Sequence, residues 1–337
     1  MKLFRLCAPL AAAFGCALGP SAHAAPQLET ITGIVAGAGT CGTFSPAPEL
    51  SFFSFAPANV PVGGIAACGY SGRYQTQSAA IGPLTLHDGL GPVILGPPIL
   101  SPGFYSGTAD ARAGYGSLGA AAHSDIAGGI PQSGTALFNS VAAATFSDTL
   151  TASSPMVVPS SLGTVRYRFR VDGSMTSLGA PGPFLFGVSY TVLDVQQGNG
   201  PVFQVMNANV TRGGLGTISN ATPPAGWVTS TGSLSGGSTF YSVALPMVWG
   251  QPWDVKVGLL AWSYGTADNQ FLNTATLSGF EFFDANGVAV NDFSLSSASG
   301  TDYLNPVPEP SAAALLLAGI ALLVWRRQRP RSRAGST

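Results

Sequence analysis

Strict alternation of apolar and charged residues in one segment predicts that this chain folds into β-sheet. In TVRYRFRVD, residues 164–172, the apolar residues Val165, Tyr167, Phe169 and Val171 alternate with charged ones. Successive side chains of a strand point to opposite faces. The segment is therefore predicted to be a strand with one apolar face and one charged, wet face.

Other segments have the same strand character. Further strand-like runs occupy residues 184–195, 201–210, 239–249 and 254–264, and clusters of Gly, Pro, Ser and Asn lie between them. No amphipathic helix intervenes, which favours antiparallel sheets packed on each other. We therefore predict an all-β, antiparallel β-sandwich or jelly-roll-like ectodomain over residues 25–305.

The N-terminal part of this body, residues 25–160, has a weaker strand pattern. The stretch GPLTLHDGLGPVILGPPILSPG, residues 82–103, has too many prolines for a central strand. We expect loops and edge strands there, followed by strands of small residues around 108–123 and 135–151. Nearer the C-terminus, Asn286-Gly287 lies between two apolar runs within residues 281–293, which predicts a hairpin with a type I′ turn.

Charge is sparse and unevenly distributed. Only 9% of the residues are charged, and between Ala25 and Asn305 there are seven basic residues and fourteen acidic ones. A nucleic-acid partner needs a basic face, so none is expected for this mildly acidic body.

The first 24 residues have the three parts of a secretory signal peptide. Lys2 and Arg5 precede an apolar run, and Ala22-His23-Ala24 ends it with small residues at the positions that a signal peptidase recognises. We predict cleavage between Ala24 and Ala25. A permanent N-terminal anchor is the weaker alternative, because the apolar run is too short to span a bilayer comfortably.

Two cysteines, Cys41 and Cys68, remain after the signal peptide is removed. Two thiols in an oxidising compartment most often pair, and two free thiols are the alternative. A disulfide closing a loop of about 28 residues would stabilise the fold by roughly 3.5 kcal/mol. No metal site is expected, because His87 and His123 have no zinc-ligand spacing to a cysteine.

Catalytic motifs are missing from the sequence. It has no Gly-x-Ser-x-Gly, no His-Glu-x-x-His and no phosphate-binding Gly-x-x-x-x-Gly-Lys-Ser/Thr pattern. Scattered acids and histidines remain, and a pair of the acids is the minimum for glycoside hydrolysis. These residues are His87 with Asp88, His123 with Asp125, Asp110, Asp148, Glu281 and Asp284. Solvated surface positions explain them better, so we expect no catalytic residues and no cofactor.

Two residue sets are candidates for sugar binding. Arg166, Arg168 and Arg170 lie on one strand face and would suit an anionic polysaccharide, although the wet face of a sheet is the commoner explanation. Sugar rings stack on exposed tryptophans, whereas most tryptophans of a sandwich belong at least partly to its core. The candidates are Trp227, Trp249, Trp253 and Trp262.

The C-terminus has a different composition. Residues 311–325, SAAALLLAGIALLVW, carry no charge, and Arg326, Arg327, Arg329, Arg331 and Arg333 follow. Fifteen residues rise about 23 Å as a helix, which is short of the roughly 30 Å hydrocarbon core. The arginines act as a stop-transfer signal that holds this end in the cytoplasm, so we predict one transmembrane helix.

Residues 306–333 resemble the PEP-CTERM protein-sorting signal of Gram-negative bacteria, a segment also called the ice-binding protein C-terminal domain. The match consists of the motif Val307-Pro308-Glu309-Pro310, the apolar helix and the Arg-rich tail. The preceding stretch, residues 271–303, resembles the terminal strands of many ectodomains that bear this signal.

The resemblance implies an exosortase as partner, an integral-membrane cysteine transpeptidase that cleaves near the motif. It implies export through the inner membrane, transient anchoring there, and final delivery of the body to the cell surface or extracellular matrix. Such proteins are commonly encoded alongside exopolysaccharide production. We therefore expect a non-enzymatic surface or matrix protein, with a carbohydrate-binding module and a secreted carboxylate hydrolase as alternatives.

Overall fold

A computed structural model describes most of the body of the protein. The described residues are 23–39, 48–54, 70–95, 103–128, 135–177, 187–211, 215–220, 227–229 and 233–305. Their regular structure is β-strand, apart from the short 3-10 helix Pro48–Phe52. The strands form two antiparallel sheets that pack face to face, as the sequence predicts for a sandwich.

Sheet A has nine strands within these ranges. They are β1 (Gln27–Gly39), β2 (Tyr70–Ala79), β6 (Thr135–Ser153), β8 (Val188–Gln197), β9 (Val202–Thr211), β10 (Leu215–Asn220), β11 (Trp227–Thr229), β14 (Pro252–Tyr264) and β17 (Ser294–Ser297). The order across the sheet is β11-β10-β9-β8-β14-β6-β1-β2, and β17 pairs with the end of β6.

Sheet B has eight strands in the described part of the chain. They are β3 (Leu84–Leu95), β4 (Gly103–Gly114), β5 (Ser117–Gly128), β7 (Leu162–Ser177), β12 (Ser233–Tyr241), β13 (Leu245–Val248), β15 (Ala267–Asp284) and β16 (Ala289–Val290). The order is β12-β7-β15-β5-β4-β3, with β13 beside β7 and β16 beside β15.

The main core lies between the two sheets. Leu28 and Phe146 reach into it from sheet A, and Tyr167 and Phe271 reach into it from sheet B. Strands β4, β5 and β6 contribute mainly alanines to this core: Ala109, Ala111, Ala113, Ala120, Ala122, Ala142 and Ala144. Residues that point into this core alternate along each strand with residues that point to the other face, so the period-two pattern determines which side chains reach the main core.

A second, smaller core lies on the outer face of sheet A. The 3-10 helix packs there, and Phe52 and Phe53 cover Ile31, Val141 and neighbouring apolar residues. Gly258 permits this contact, because a Cβ at that position would lie 2.5 Å from the Phe52 ring and 2.7 Å from the Phe53 ring.

Four of the predicted strands correspond to observed ones. Segment 164–172 lies within β7 and 254–264 within β14, while 201–210 overlaps β9 and 184–195 overlaps β8. Segment 239–249 is instead divided between β12 and β13. The division occurs because the Ser242 hydroxyl, rather than a carbonyl, accepts the hydrogen bond of the Tyr167 amide at 2.9 Å.

The N-terminal part is richer in strands than predicted. The small-residue strand region expected around 108–123 is observed as a hairpin, in which Tyr115-Gly116 turns the chain between β4 and β5 and Gly116 adopts φ +81°. The proline-rich stretch 82–103 does contribute an edge strand, β3, as its prolines indicate. The expected strand at 135–151 is observed as β6.

The turn at Asn286-Gly287 is observed, but the predicted type is wrong. Only Gly287 has a positive φ, +78°, whereas a type I′ turn needs positive φ at both central residues. The Asp284 amide donates to the Val288 carbonyl, and the Asp284 carboxylate accepts from the amides of Asn286 and Val288. The side chain of Asp284 therefore fixes a three-residue loop here.

Candidate functional site at the C-terminal end of the sandwich

The last described segment is fastened to the end of β6. Strand β17 pairs with residues 150–153 of β6. Beyond it, the carboxylate of Asp148 accepts a hydrogen bond from the Ser299 amide at 3.0 Å, one from the Ser299 hydroxyl and one from the Tyr303 hydroxyl at 2.8 Å. We call Asp148, Ser299 and Tyr303 the C-terminal clasp.

The clasp is buried. Asp148 is 2% exposed and Tyr303 is 4% exposed. The ring of Tyr303 stacks on Phe146 with centroids 6.3 Å apart and contacts the edge of Phe280 at 6.2 Å. A Cβ at Gly116 would lie 3.1 Å from this ring, so the β4–β5 turn is also fitted to it.

Burial, together with the nearby charge of Asp148, raises the pKa of Tyr303. The hydroxyl group therefore stays protonated and remains a donor. Three hydrogen bonds, from the Ser299 amide, the Ser299 hydroxyl and the Tyr303 hydroxyl, therefore converge on one buried carboxylate and hold the segment in place.

A local turn follows the clasp at the end of the described chain. The carboxylate of Asp302 accepts from the amides of Leu304 and Asn305, each at 3.0 Å, and from the Asn305 side chain at 3.2 Å. The hydrogen bonds from Asn305 lower the pKa of Asp302. Asn305 is the last residue that the structure describes.

The N-terminal junction lies at the same place. The hydroxyl of Thr149, the residue after Asp148, lies 3.3 Å from the Ala24 carbonyl and 2.6 Å from the Asp254 carboxylate. The Ala24 amide lies 3.4 Å from that carboxylate as well. Ala24 and Ala25 are both exposed. The two ends of the body therefore meet at adjacent residues of β6.

Many predicted site residues lie outside the described ones. These are Cys41, Cys68, the motif residues Val307, Pro308, Glu309 and Pro310, the segment 311–325 and the arginines at 326, 327, 329, 331 and 333. Among the helices that the structure describes, none has the length and apolar character that a membrane crossing requires.

The candidate acids and histidines do not converge on one site. His87 lies 2.5 Å from Asp110 rather than near Asp88. Asp88 is buried and accepts from Arg73 at 2.9 Å. The Nδ1 atom of His123 lies 3.3 Å from Asp268, and this hydrogen bond raises the pKa of His123.

The remaining acids have structural partners as well. Glu281 pairs with Arg166, Asp284 holds its turn and Asp148 belongs to the clasp. A shallow pocket of about 360 Å³ between Pro155 and Asp292 includes one carboxylate in its lining. In the described part of the chain no group of three His, Cys, Asp or Glu side chains is arranged to hold a metal ion.

The arginine row is used within sheet B. Arg166 lies 3.4 Å from Glu281, and Arg168 donates to the Ser278 carbonyl at 2.9 Å. Both contacts cross from β7 to β15, so this part of the row stabilises strand pairing. Arg168 and Arg170 face solvent.

Two of the tryptophans belong to the core. Trp249 and Trp253 are buried, and Trp253 donates to the Tyr167 hydroxyl at 3.0 Å. Trp262 is half-buried on the outer face of sheet A. The side chain of Trp227 lies outside the described ones.

Sequence reasoning missed the C-terminal clasp. In the sequence Asp148 is one of several scattered acids, and Tyr303 belongs to no recognisable motif. A usable signal was position, because a polar and aromatic SSASGTDY stretch, residues 296–303, immediately precedes the proline-rich segment.

Comparison with known families identifies the segment that follows the clasp. Residues 306–329 match the PEP-CTERM protein-sorting motif. No curated protein and no solved structure matches the chain. The match begins three residues after Tyr303 of the clasp.

Proposed function

We propose that the protein is an exported, non-catalytic surface or matrix component whose folded body is released from a transient membrane anchor by an exosortase. The PEP-CTERM motif at 306–329 implies export and transient C-terminal anchoring. The observation that carries the proposal further is the meeting of both ends of the body at Asp148 and Thr149. Two membrane-directed segments that leave from one end of a sandwich fit a single bilayer on that side.

The anchor has three parts, and each has its own physical role. Pro308 and Pro310 lack backbone donors and favour an extended chain around Glu309, which keeps this stretch accessible to a membrane enzyme. Residues 311–325 hold the chain in the bilayer as a helix. The arginines after Trp325 remain on the cytoplasmic side.

The C-terminal clasp separates the body from this anchor. All of the described sandwich and the clasp lie before Pro308, so cleavage near the motif leaves them intact. Removal of the signal after Ala24 and a disulfide between Cys41 and Cys68 complete the mature form that we propose.

Mass spectrometry of the mature C-terminus, from cells with and without the exosortase, tests the proposal. With the enzyme, the surface form is expected to end near Pro308–Pro310 and to begin at Ala25. Without it, the arginine tail is expected to remain. An intact Arg327 in the surface form of enzyme-containing cells overturns the sorting function.

A matched pair of variants locates the recognition element. Alanine at positions 308, 309 and 310 together is expected to leave the precursor unprocessed in the membrane. Asn305→Ala, just outside the matched residues, is expected to be processed like the parent chain.

A matrix role with exopolysaccharide as partner is part of the proposal. It is supported by the sparse charge and by the separate structural partners of the candidate acids, which favour a passive body over a hydrolase. Turnover in a broad glycoside screen contradicts the non-catalytic assignment. A glycan array with Arg168→Ala as variant tests the carbohydrate-binding alternative, because Arg168 is exposed.

A further inference from the structure

Exposed apolar side chains cluster at the end of the sandwich from which the chain leaves. Four of them, Met156, Val158, Leu162 and Val288, are between 61% and 76% exposed. We call these four residues the apolar tip. Exposed apolar side chains grouped together usually mark a contact surface, whereas single ones need no explanation.

Three loops bring the apolar tip together. Leu162 starts β7, and the next residue, Gly163, is paired with Asp284 at the end of β15. The Asp284 amide donates to the Val288 carbonyl at 2.9 Å, which places the β15–β16 turn beside the start of β7. Met156 and Val158 lie in the β6–β7 loop, where Val158 accepts from the Ser161 amide at 3.2 Å.

Two of the remaining exposed apolar residues lie at the same end of the sandwich, and one lies at the opposite end. Ile81 lies in the β2–β3 turn and Leu304 lies next to the exit, both at this end. Phe104, which is 47% exposed, starts β4 at the opposite end of sheet B, where it pairs with Ile94 and Ala127.

The position of the exit indicates what covers the tip. Strand β6 continues from Ser147, opposite Gln27, to Ser153, which is about 20 Å at 3.3 Å per residue. The last described residue, Asn305, follows the clasp, near the start of this extension. Residues 306–310 can span at most about 17 Å when extended, so an anchor that begins at residue 311 can reach close to the level of the tip.

We propose that the apolar tip contacts the lipid bilayer while the chain is anchored, so that the sandwich stands on the membrane with this end down. The inference rests on the proposed C-terminal anchoring and adds the surface of the body that meets the lipid. The acidic Asp284 lies at the β15–β16 turn and Asp292 lies in the connection that follows β16, so the contact is apolar and gains nothing from anionic lipid.

The full chain, reconstituted through its own C-terminus in nanodiscs of zwitterionic lipid, tests the contact. A fluorescent amino acid is placed at Val158 in one sample and at Phe104, the matched apolar position of the opposite end, in another. Lipid with brominated acyl chains is expected to reduce emission at 158 and to leave emission at 104 unchanged. A probe at Val288 repeats the test if the Val158 variant folds poorly.

Three other results overturn the inference. Equal emission at 158 in brominated and ordinary lipid means that the tip is in water. Emission that changes with the number of chains per disc but not with bromination assigns the tip to a second copy. Quenching that requires anionic lipid contradicts an apolar contact.

Retention of the chain in the disc separates the two proposals. A retained chain with an unquenched tip defeats the lipid contact alone. A chain that does not stay in the disc defeats the proposed anchoring, and the tip contact with it.

Discussion

Ser54 donates both its amide and its hydroxyl to the carboxylate of Asp194, at 2.7 Å and 3.0 Å. The two residues are 140 positions apart, and the contact fastens the segment after the 3-10 helix to the outer face of sheet A. Asp194 has no exposed surface. Burial raises its pKa from 3.8 to about 6, although the hydrogen bonds from Ser54 oppose this change.

The raised pKa of Asp194 makes stability depend on pH. Its protonated form is favoured in the folded state, so its stabilising contribution is complete below about pH 4 and is lost as the pH rises through about 6. The rise in the pKa of Asp194 from 3.8 to about 6 corresponds to a decrease of roughly 3 kcal/mol in the free energy of unfolding as the pH rises. Denaturant unfolding at several pH values from 4 to 7 measures it.

Asp194→Asn is expected to remove this dependence and to stabilise the protein at pH 7, because an amide still accepts from the Ser54 amide without carrying a charge. Asp292→Asn, at an exposed site, is the control and should retain the slope. A slope that survives in Asp194→Asn contradicts the assignment.

Tyr303→Phe is expected to destabilise the sandwich by about 1–3 kcal/mol, because it removes a donor from the buried carboxylate of Asp148. Thermal unfolding measures the loss. Tyr115→Phe is the matched control, since its hydroxyl donates to the Ala80 carbonyl at an exposed position. Equal losses of stability in the two variants would show that the hydrogen bond from Tyr303 to Asp148 adds no more stability than the exposed one from Tyr115.

Gly258→Ala is expected to cost about 1–3 kcal/mol, because the added methyl group meets the Phe52 and Phe53 rings at less than contact distance. Gly89→Ala is the control, since the nearest atoms to its Cβ are 4.0 Å away. The free energy of unfolding of both variants, measured in denaturant, should differ by that amount.

Arg73→Met is expected to destabilise the edge between β2 and β3 by about 1–3 kcal/mol, because it leaves the buried carboxylate of Asp88 without its cation. Arg168→Met, on the exposed face of β7, should cost less. Chemical unfolding of both variants measures the free energy of unfolding. Equal losses of stability would show that the contact between Arg73 and Asp88 adds none.

Strands with strict alternation were predictable with their buried faces, whereas for strands rich in small residues the turns between them were not. In TVRYRFRVD the pattern itself separates core from solvent, and β7 follows it. Around 108–123 the inward residues are mostly alanines, which have little preference for strands, so the pattern does not mark the Tyr115-Gly116 turn. Gly116 lies close to the ring of Tyr303, nearly two hundred positions away, and local reasoning does not reach such a contact.

The sequence by itself determined the class of fold and the sorting motif, because alternation and a linear motif are both local properties of the chain. Only the tertiary structure decided which acids are buried and what each one holds. Asp88, Asp148 and Asp194 look alike in sequence, but donors from other strands and loops surround each in the fold. The same long-range pairing brings Ala24 and Asn305 to one end of the sandwich, a relation that no local pattern encodes.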